Sequence, residues 1–258
     1  MITYDLFTAF IIIAILMPLA SAIILLLMLS FEQEISLLKN ENTKVILEKE
    51  LQHSEYMQLN QQIQPHFLFN TVNLLLSLAR LKKTEQLIEV LEQLSLFLRF
   101  RYQIKDQLIP FEKELNHAKN FLFIQQIRFG QRLKVDFQIE QGLERILVPP
   151  YLLQTLIENA FKHGIEKKIG QVSLFISFTH EAPNAVLEVS NNGVGVNRII
   201  TFPDEIFKGH GLYNIYRRLE LLFGNDISLV LKPKAGGGTQ VFIRWPYIME
   251  NSEEEEQE

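Results

Sequence analysis

The sequence predicts an α+β protein with an N-terminal transmembrane helix, a long helical hairpin and a C-terminal α/β sandwich. Three observations predict it. Residues 6–31 carry no charged side chain. Residues 65–102 repeat apolar side chains at helical spacing on both sides of one polar turn, Lys82-Lys83-Thr84. From residue 133 onward, short alternating stretches interleave with helical ones, the pattern of a mixed sheet covered on one face by helices.

A length of 258 residues and 47% hydrophobic content leave room for a large domain or two modest ones plus attachments. The chain has no cysteine, which excludes disulfides and cysteine-ligated metal. The net charge is −5, and the acidic stretch at 253–256 supplies much of it. With no basic block, direct nucleic-acid binding is not expected.

The elements follow in order. At ~1.5 Å per residue, residues 6–31 exceed the ~30 Å hydrocarbon core and read as one membrane helix, with Pro18 tolerated as a kink. No basic region precedes the apolar run and no small-x-small site follows it, so a cleaved signal peptide fits poorly. Lys39, Lys44 and Lys49 lie after the helix and only Asp5 before it, which places the following part in the cytoplasm. Residues 32–64 read as a charged, near-heptad signalling helix that pairs with a copy of itself or packs within one chain. Residues 61–104 form two apolar helices around the polar turn. Such a hairpin cannot bury its surface alone, so a homodimeric four-helix bundle is expected. A further helix runs from about Pro110 to Arg128 and ends at Gly130. Strands are expected at 133–139, 172–178, 185–190, 227–231 and 239–245. Helices are expected after Pro149-Pro150 up to Gly164, and from 210/211 to 223, with a loop over 191–204. Residues 110–247 thus make one domain, and 248–258 an acidic, disordered tail.

Several positions can carry chemistry. On the first hairpin helix His66, Asn70, Asn73 and Ser77 share one face of an otherwise apolar helix. Such a stripe is either a set of satisfied hydrogen bonds or the display of a nucleophile, His66, to a partner domain. Imidazole titrates near neutral pH, so a large neutral fraction can attack an electrophile, and Asn70, one turn on, can accept a bond from the other ring nitrogen. Further along, the helix after Pro150 carries Glu158, Asn159, Lys162 and His163. Asn offers a carbonyl oxygen suited to Mg²⁺, and Lys a point charge for phosphate. Asn191-Asn192-Gly193-Val194-Gly195 leaves a strand, and Gly209-His210-Gly211-Leu212 leads into a helix whose free N–H groups suit an anion. Gly236-Gly237-Gly238-Thr239 reads as a hairpin turn. Singly these are ordinary turns or exposed faces; in this order they suggest a nucleotide site built without a GxxxxGK[ST] loop, which the chain lacks.

The ordered set resembles the sensor histidine kinases of the LytS/YehU type, with a GHKL (Bergerat-type) ATP-binding domain. PHFLFN at 65–70 is similar to that family's phospho-acceptor box and LIENAFKHG at 156–164 to its N box. NNGVG at 191–195 and GHGLYNIYRRL at 209–219 are similar to its glycine boxes, and GGGT closes the pattern. The resemblance implies that His66 receives the γ-phosphoryl of ATP. Asn159 would hold Mg²⁺, Glu158 would support it, and Lys162 and His163 would face the phosphates. Gly193 and Gly195 would shape the adenine end, with Asn191 where these sites usually carry aspartate. Gly209 and Gly211, followed by Leu212, would belong to a mobile lid; Asn214 and Arg218 would support the site, with Thr239 beside it.

The same resemblance implies a membrane-anchored, homodimeric kinase of a two-component system, single-pass in the plasma membrane with its kinase part cytoplasmic. It would pass the phosphoryl group to an aspartate of a response regulator. A partner membrane protein is expected to supply the signal. Phe67 stands where many histidine kinases have an acidic residue, so no general base is named. The competing expectation is a non-catalytic dimeric membrane scaffold with a degraded ATP pocket.

Overall fold

The computed structural model describes residues 65–104, 106–203 and 211–249, besides Met17, Met28, Phe31 and Lys39. The expected membrane helix at 6–31, the signalling helix at 32–64 and most of the acidic tail lie outside the described residues. Among the described residues no helix is long and apolar enough to cross a membrane.

The hairpin consists of α1 (Pro65–Arg80) and α2 (Thr84–Gln103). Its turn closes as Lys82 takes a left-handed φ of 56° and the Lys83 N–H reaches back to the Leu78 carbonyl at 3.0 Å. Phe67, Thr71 and Leu78 are buried on α1, and Thr71 is satisfied by the Phe67 carbonyl at 2.9 Å. The polar stripe is not a buried one. Asn73 and Ser77 are exposed, and Ser77 donates to the Asn73 carbonyl at 2.8 Å. Nor is the rest of the helix enclosed: Phe69 is 70% exposed, and Val72, Leu76, Ile88 and Leu91 also face outward. Among the described residues of one chain the hairpin has one covered side, and apolar content alone does not decide which residues lie on it.

That covered side rests on α3 (Phe111–Phe129), which begins directly after Pro110 and stops at Gly130, whose φ of 59° suits a residue without Cβ. Phe67 sits between Phe97 of α2 (ring centroids 5.0 Å apart) and Phe121 of α3 (4.7 Å). Further along, the His117 ring is stacked against Phe97 at 4.6 Å and Phe100 at 4.0 Å. The opposite side of α3 faces the sheet, where Phe111 meets Phe178 at 4.0 Å.

The sheet has six strands in the order β2-β4-β5-β8-β7-β6. They are β2 (Leu133–Ile139), β4 (Val172–Glu181), β5 (Asn184–Asn191), β6 (Ile200–Thr201), β7 (Ser228–Pro233) and β8 (Thr239–Pro246). β2 runs parallel to β4, and the other pairings are antiparallel. A separate two-stranded pair joins β1 (Ile109–Pro110) to β3 (Leu147–Val148). Side chains alternate as a one-faced sheet requires: Leu174, Ile176, Leu187, Val189, Val241 and Ile243 are buried. Helices α4 (Leu152–His163) and α5 (Gly211–Phe223) lie on that face. The stretch expected as a loop over 191–204 contains β6, too short to show an alternating pattern.

Phe67→Ala removes the ring that joins all three helices. It should lower unfolding free energy by about 3–5 kcal/mol, read as a fall in denaturant midpoint, with Phe67→Leu losing less.

Candidate functional site

Helix α4 divides two chemically distinct places. On one side lies a cleft of about 340 Å³ lined by Asn159, His163, Lys167, Asn191, Leu212 and Thr239 over an apolar slot that includes Leu156, Val189, Leu231 and Val241. That volume is near the lower end for small-molecule sites, roughly 300–1,000 Å³. On the other side His66 meets Asn70, Gln125, Arg128, Glu158, Lys162 and Glu166.

The cleft is shaped by backbone lying on backbone. A Cβ on Gly193 would fall 2.2 Å from the Gly164 carbonyl carbon, and one on Gly238 2.0 Å from the Asn191 oxygen. Three loops therefore touch where a side chain at either position would hold them apart. Val194 N–H donates to the Gly164 carbonyl at 3.1 Å, and Gly193 N–H to Asn191 Oδ1 at 2.8 Å. Asn191 is buried at the floor. With one lone pair of its amide oxygen on Gly193, the other is left for a ligand amino group. GGGT does form the expected hairpin turn, between β7 and β8, and Gly238 also seals the cleft against Asn191.

Asn159 Nδ2 donates to the Thr155 carbonyl at 2.8 Å, which fixes the amide and directs its oxygen away from the helix backbone. The first turn of α5 abuts it: a Cβ on Gly211 would lie 2.9 Å from Asn159 Nδ2. A helix N-terminus and an amide oxygen thus converge, an arrangement suited to a phosphate and a hard cation. Among the described residues no group of three or more His, Asp or Glu side chains could hold a metal. Gly209 lies outside the described residues.

Of the expected site residues, the structure brings Asn159, His163, Asn191, Gly195, Leu212 and Thr239 to the cleft wall and packs Gly193 and Gly211 behind it. It does not bring Glu158 and Lys162 there. Both emerge on the His66 side of α4, and Glu158 accepts from Gln154 Nε2 at 2.8 Å. Asn70 does lie at the His66 ring, but its amide nitrogen faces it, 3.1 Å from Nε2 and 3.3 Å from Nδ1, so it presents a donor where an acceptor was expected. Arg218 is buried and donates to the Pro150 carbonyl, supporting α4 rather than lining the cleft. Lys167, missed in the sequence, lies in the short 3-10 turn Ile165–Lys167 beyond the end of α4, where helical spacing no longer marks a face.

The sequence also left unread how α4 starts. Tyr151, at φ 63°, supplies no cap of its own. Instead Glu114 of α3 accepts the N–H groups of Tyr151 at 2.9 Å and Gln154 at 3.1 Å. Carboxylates at a helix N-terminus satisfy its free donors and its dipole. Burial pushes the Glu114 carboxyl up to about 7, against the lowering pull of those N–H groups and Arg218.

A mixed-sheet domain with a small-molecule cleft, joined through one helix to a hairpin that presents a histidine, is the class defined by this fold and site. Residues 54–133 match the profile of the histidine kinase family. The chain is 34% identical over 206 residues to the sensor protein LytS of Bacillus subtilis, covering 77% of this chain and 35% of that protein. It is 33% identical over 191 residues to the uncharacterised protein YwpD of the same species, covering 72% of this chain and 68% of that one. The catalytic domain of histidine kinase ThkA aligns at a TM-score of 0.41 and 14% identity, over 57% of this chain and 100% of that structure. The chain belongs to the histidine kinase family and is of the LytS type. It spans about a third of the length of the LytS relatives it matches.

Two outcomes follow. Between about pH 4.5 and 7 the folded state holds the Glu114 proton more tightly than the unfolded chain, so stability falls as pH rises through that window. Unfolding free energies from denaturant titration should decline from pH 5 to 8 in the wild type and less steeply in Glu114→Gln, the two curves separating by about 3 kcal/mol. Gly193→Ala should push the loop off Gly164 and lower the melting temperature, whereas Gly170→Ala, which meets no atom within 4 Å, should lower it only by the backbone strain of its φ of 89°.

Proposed function

We propose that the chain is a membrane-anchored sensor histidine kinase that transfers the γ-phosphoryl group of ATP to His66 and then to an aspartate of a response regulator. The observation that carries this reading is the arrangement at α4. A nucleotide-sized cleft with Asn159 and the α5 N-terminus lies on one face, and His66 on the other. In this reading the apolar slot holds adenine, with Asn191 accepting from its amino group. Phosphates lie by the α5 N-terminus, His163 and Lys167, which neutralise charge that phosphoryl transfer spreads over oxygens.

Asn159, its amide nitrogen tied to Thr155, fits Mg²⁺, which takes few protein ligands beside substrate phosphates. When bound, the cation would supply further charge neutralisation. Residues 162–167 form the rim between the two faces: Lys162 and Glu166 turn to His66, and His163 and Lys167 to the cleft. That rim is where nucleophile and phosphoryl group meet. Residues 6–31 serve as the membrane anchor and 32–64 as the connecting helix, with a membrane partner delivering the signal. The outward apolar side chains of the hairpin pair with a second copy, since contiguous apolar surface of this kind marks an interface.

Incubation of the 258-residue chain with γ-labelled ATP and Mg²⁺ should give an acid-labile, base-stable label. His66→Gln and Asn159→Ala should both abolish it, and only Asn159→Ala should also weaken Mg-ATP binding. Label persisting in His66→Gln would refute the acceptor assignment. Leu76→Lys combined with Leu91→Lys should convert a dimer to a monomer in sedimentation; an unchanged dimer would refute the hairpin interface.

A further inference from the structure

His66 lacks an adjacent acidic residue in sequence, because position 67 holds a buried phenylalanine. In space it has one. Glu166 Oε2 lies 3.9 Å from His66 Nδ1, a small side-chain rotation short of a hydrogen bond. The carboxylate is held from behind, where Arg128 Nη1 donates to Glu166 Oε1 at 2.7 Å and to Gln125 Oε1 at 3.3 Å. The Glu166 side chain is 19% exposed, whereas His66 is 63% exposed, so a fixed group faces an accessible one. The charged groups facing His66 from the packed elements are Arg128 of α3, Glu158 and Lys162 of α4, and Glu166 of the turn that follows. Arg128 and Lys162 can only donate, Glu158 accepts from Gln154 Nε2 with Oε1, and Glu166 is the carboxylate at ion-pair distance from the ring, 3.9 Å. Asn70 presents its amide nitrogen to the ring and does not accept. Glu166 is thus the acceptor aimed at Nδ1.

Resting on the kinase reading above, we infer that Glu166 is the positioning residue for phosphorylation of His66: it holds the proton on Nδ1, so that the Nε2 lone pair, once the Asn70 amide 3.1 Å away releases it, is the nucleophile. In the step, the Nε2 lone pair forms the N–P bond and the bond from the γ-phosphorus to the ADP oxygen breaks, ADP keeping that electron pair. The Nδ1 proton passes to Glu166, which leaves a neutral phosphorylated ring and a protonated carboxyl that later releases its proton to water. Glu166 adjoins Lys167, which lines the cleft, so the contact sits on the rim the phosphoryl group must cross. Arg128 sets the carboxylate in place, as the third group of a base-and-orienter arrangement does.

The test compares wild type, Glu166→Gln and Glu166→Asp, each as the 258-residue chain in detergent. Labelling rates from γ-labelled ATP are followed from about pH 6 to about pH 9, with affinity for a fluorescent ATP analogue measured in parallel. Gln keeps the shape and can still accept from Arg128. It should lower the labelling rate about 100-fold near neutral pH with unchanged nucleotide affinity. Its rate should keep rising with pH as hydroxide takes over proton removal, while the wild-type rate levels off. Asp should restore part of the rate. Wild-type rates and profile in Glu166→Gln would overturn the inference, as would faster labelling, which would make the contact a restraint. Loss of nucleotide affinity and melting temperature in step with rate would overturn it too, reducing Glu166 to a fold residue. No label in the wild type would instead sink the kinase reading, and this inference with it.

Discussion

The insertion of Phe67 between Phe97 and Phe121 is the contact on which the rest of the arrangement depends. The two hairpin helices leave much of their apolar surface outward, and α1 buries little besides Phe67, Thr71 and Leu78. One aromatic ring therefore fixes the end of α1 against α2 and α3 together. Because Phe67 is drawn inward, its neighbour His66 stays at the surface and faces α4. A carboxylate at position 67 could not occupy that site without severe desolvation. The residue next to the histidine is used for packing, and an acid reaches the ring from Glu166 instead.

Helix α3 carries the arrangement further. One side takes the hairpin through Phe121 and the stacked His117; the other takes the sheet through Phe111. Its Glu114 caps α4, whose first turn is also held by Arg218 reaching from α5 to the Pro150 carbonyl. Two helices, α3 and α5, thus set the position of the one that separates the cleft from His66. A shift of the hairpin relative to the sheet would act on α3 and, through its Glu114, on the start of α4. That gives a physical link between the hairpin and the helix that bears Asn159.

Much of the fold could be read from the residues. Strands β2, β4, β5 and β8 were expected within a few residues of their observed bounds, because one-faced burial imprints a period of two on Leu174, Ile176, Leu187 and Val189. Gly130 marked a helix end as a left-handed position does. The cleft was partly legible, since glycines at 193 and 195 and Asn159 arrive in a telling order. Other features were not, because they join residues far apart in the chain. Nothing local marks Glu114 as the cap for a helix that starts 38 residues later, or Glu166 as a neighbour of His66. Lys162 was also expected beside His163 at the phosphates, but Asn159 and His163 share the cleft face, while Lys162 turns to the other side. β6 was too short to leave a pattern.

The central claim is that His66, held outward by Phe67, is the group that receives a phosphoryl from the α4 cleft. Site mapping by mass spectrometry at neutral-to-basic pH, after incubation with Mg-ATP, tests it most directly. The account predicts the added phosphoryl on the peptide that contains PHFLFN, with fragments placing it on His66. Phosphoryl on any other residue, or an unmodified peptide from protein that binds Mg-ATP, would contradict it.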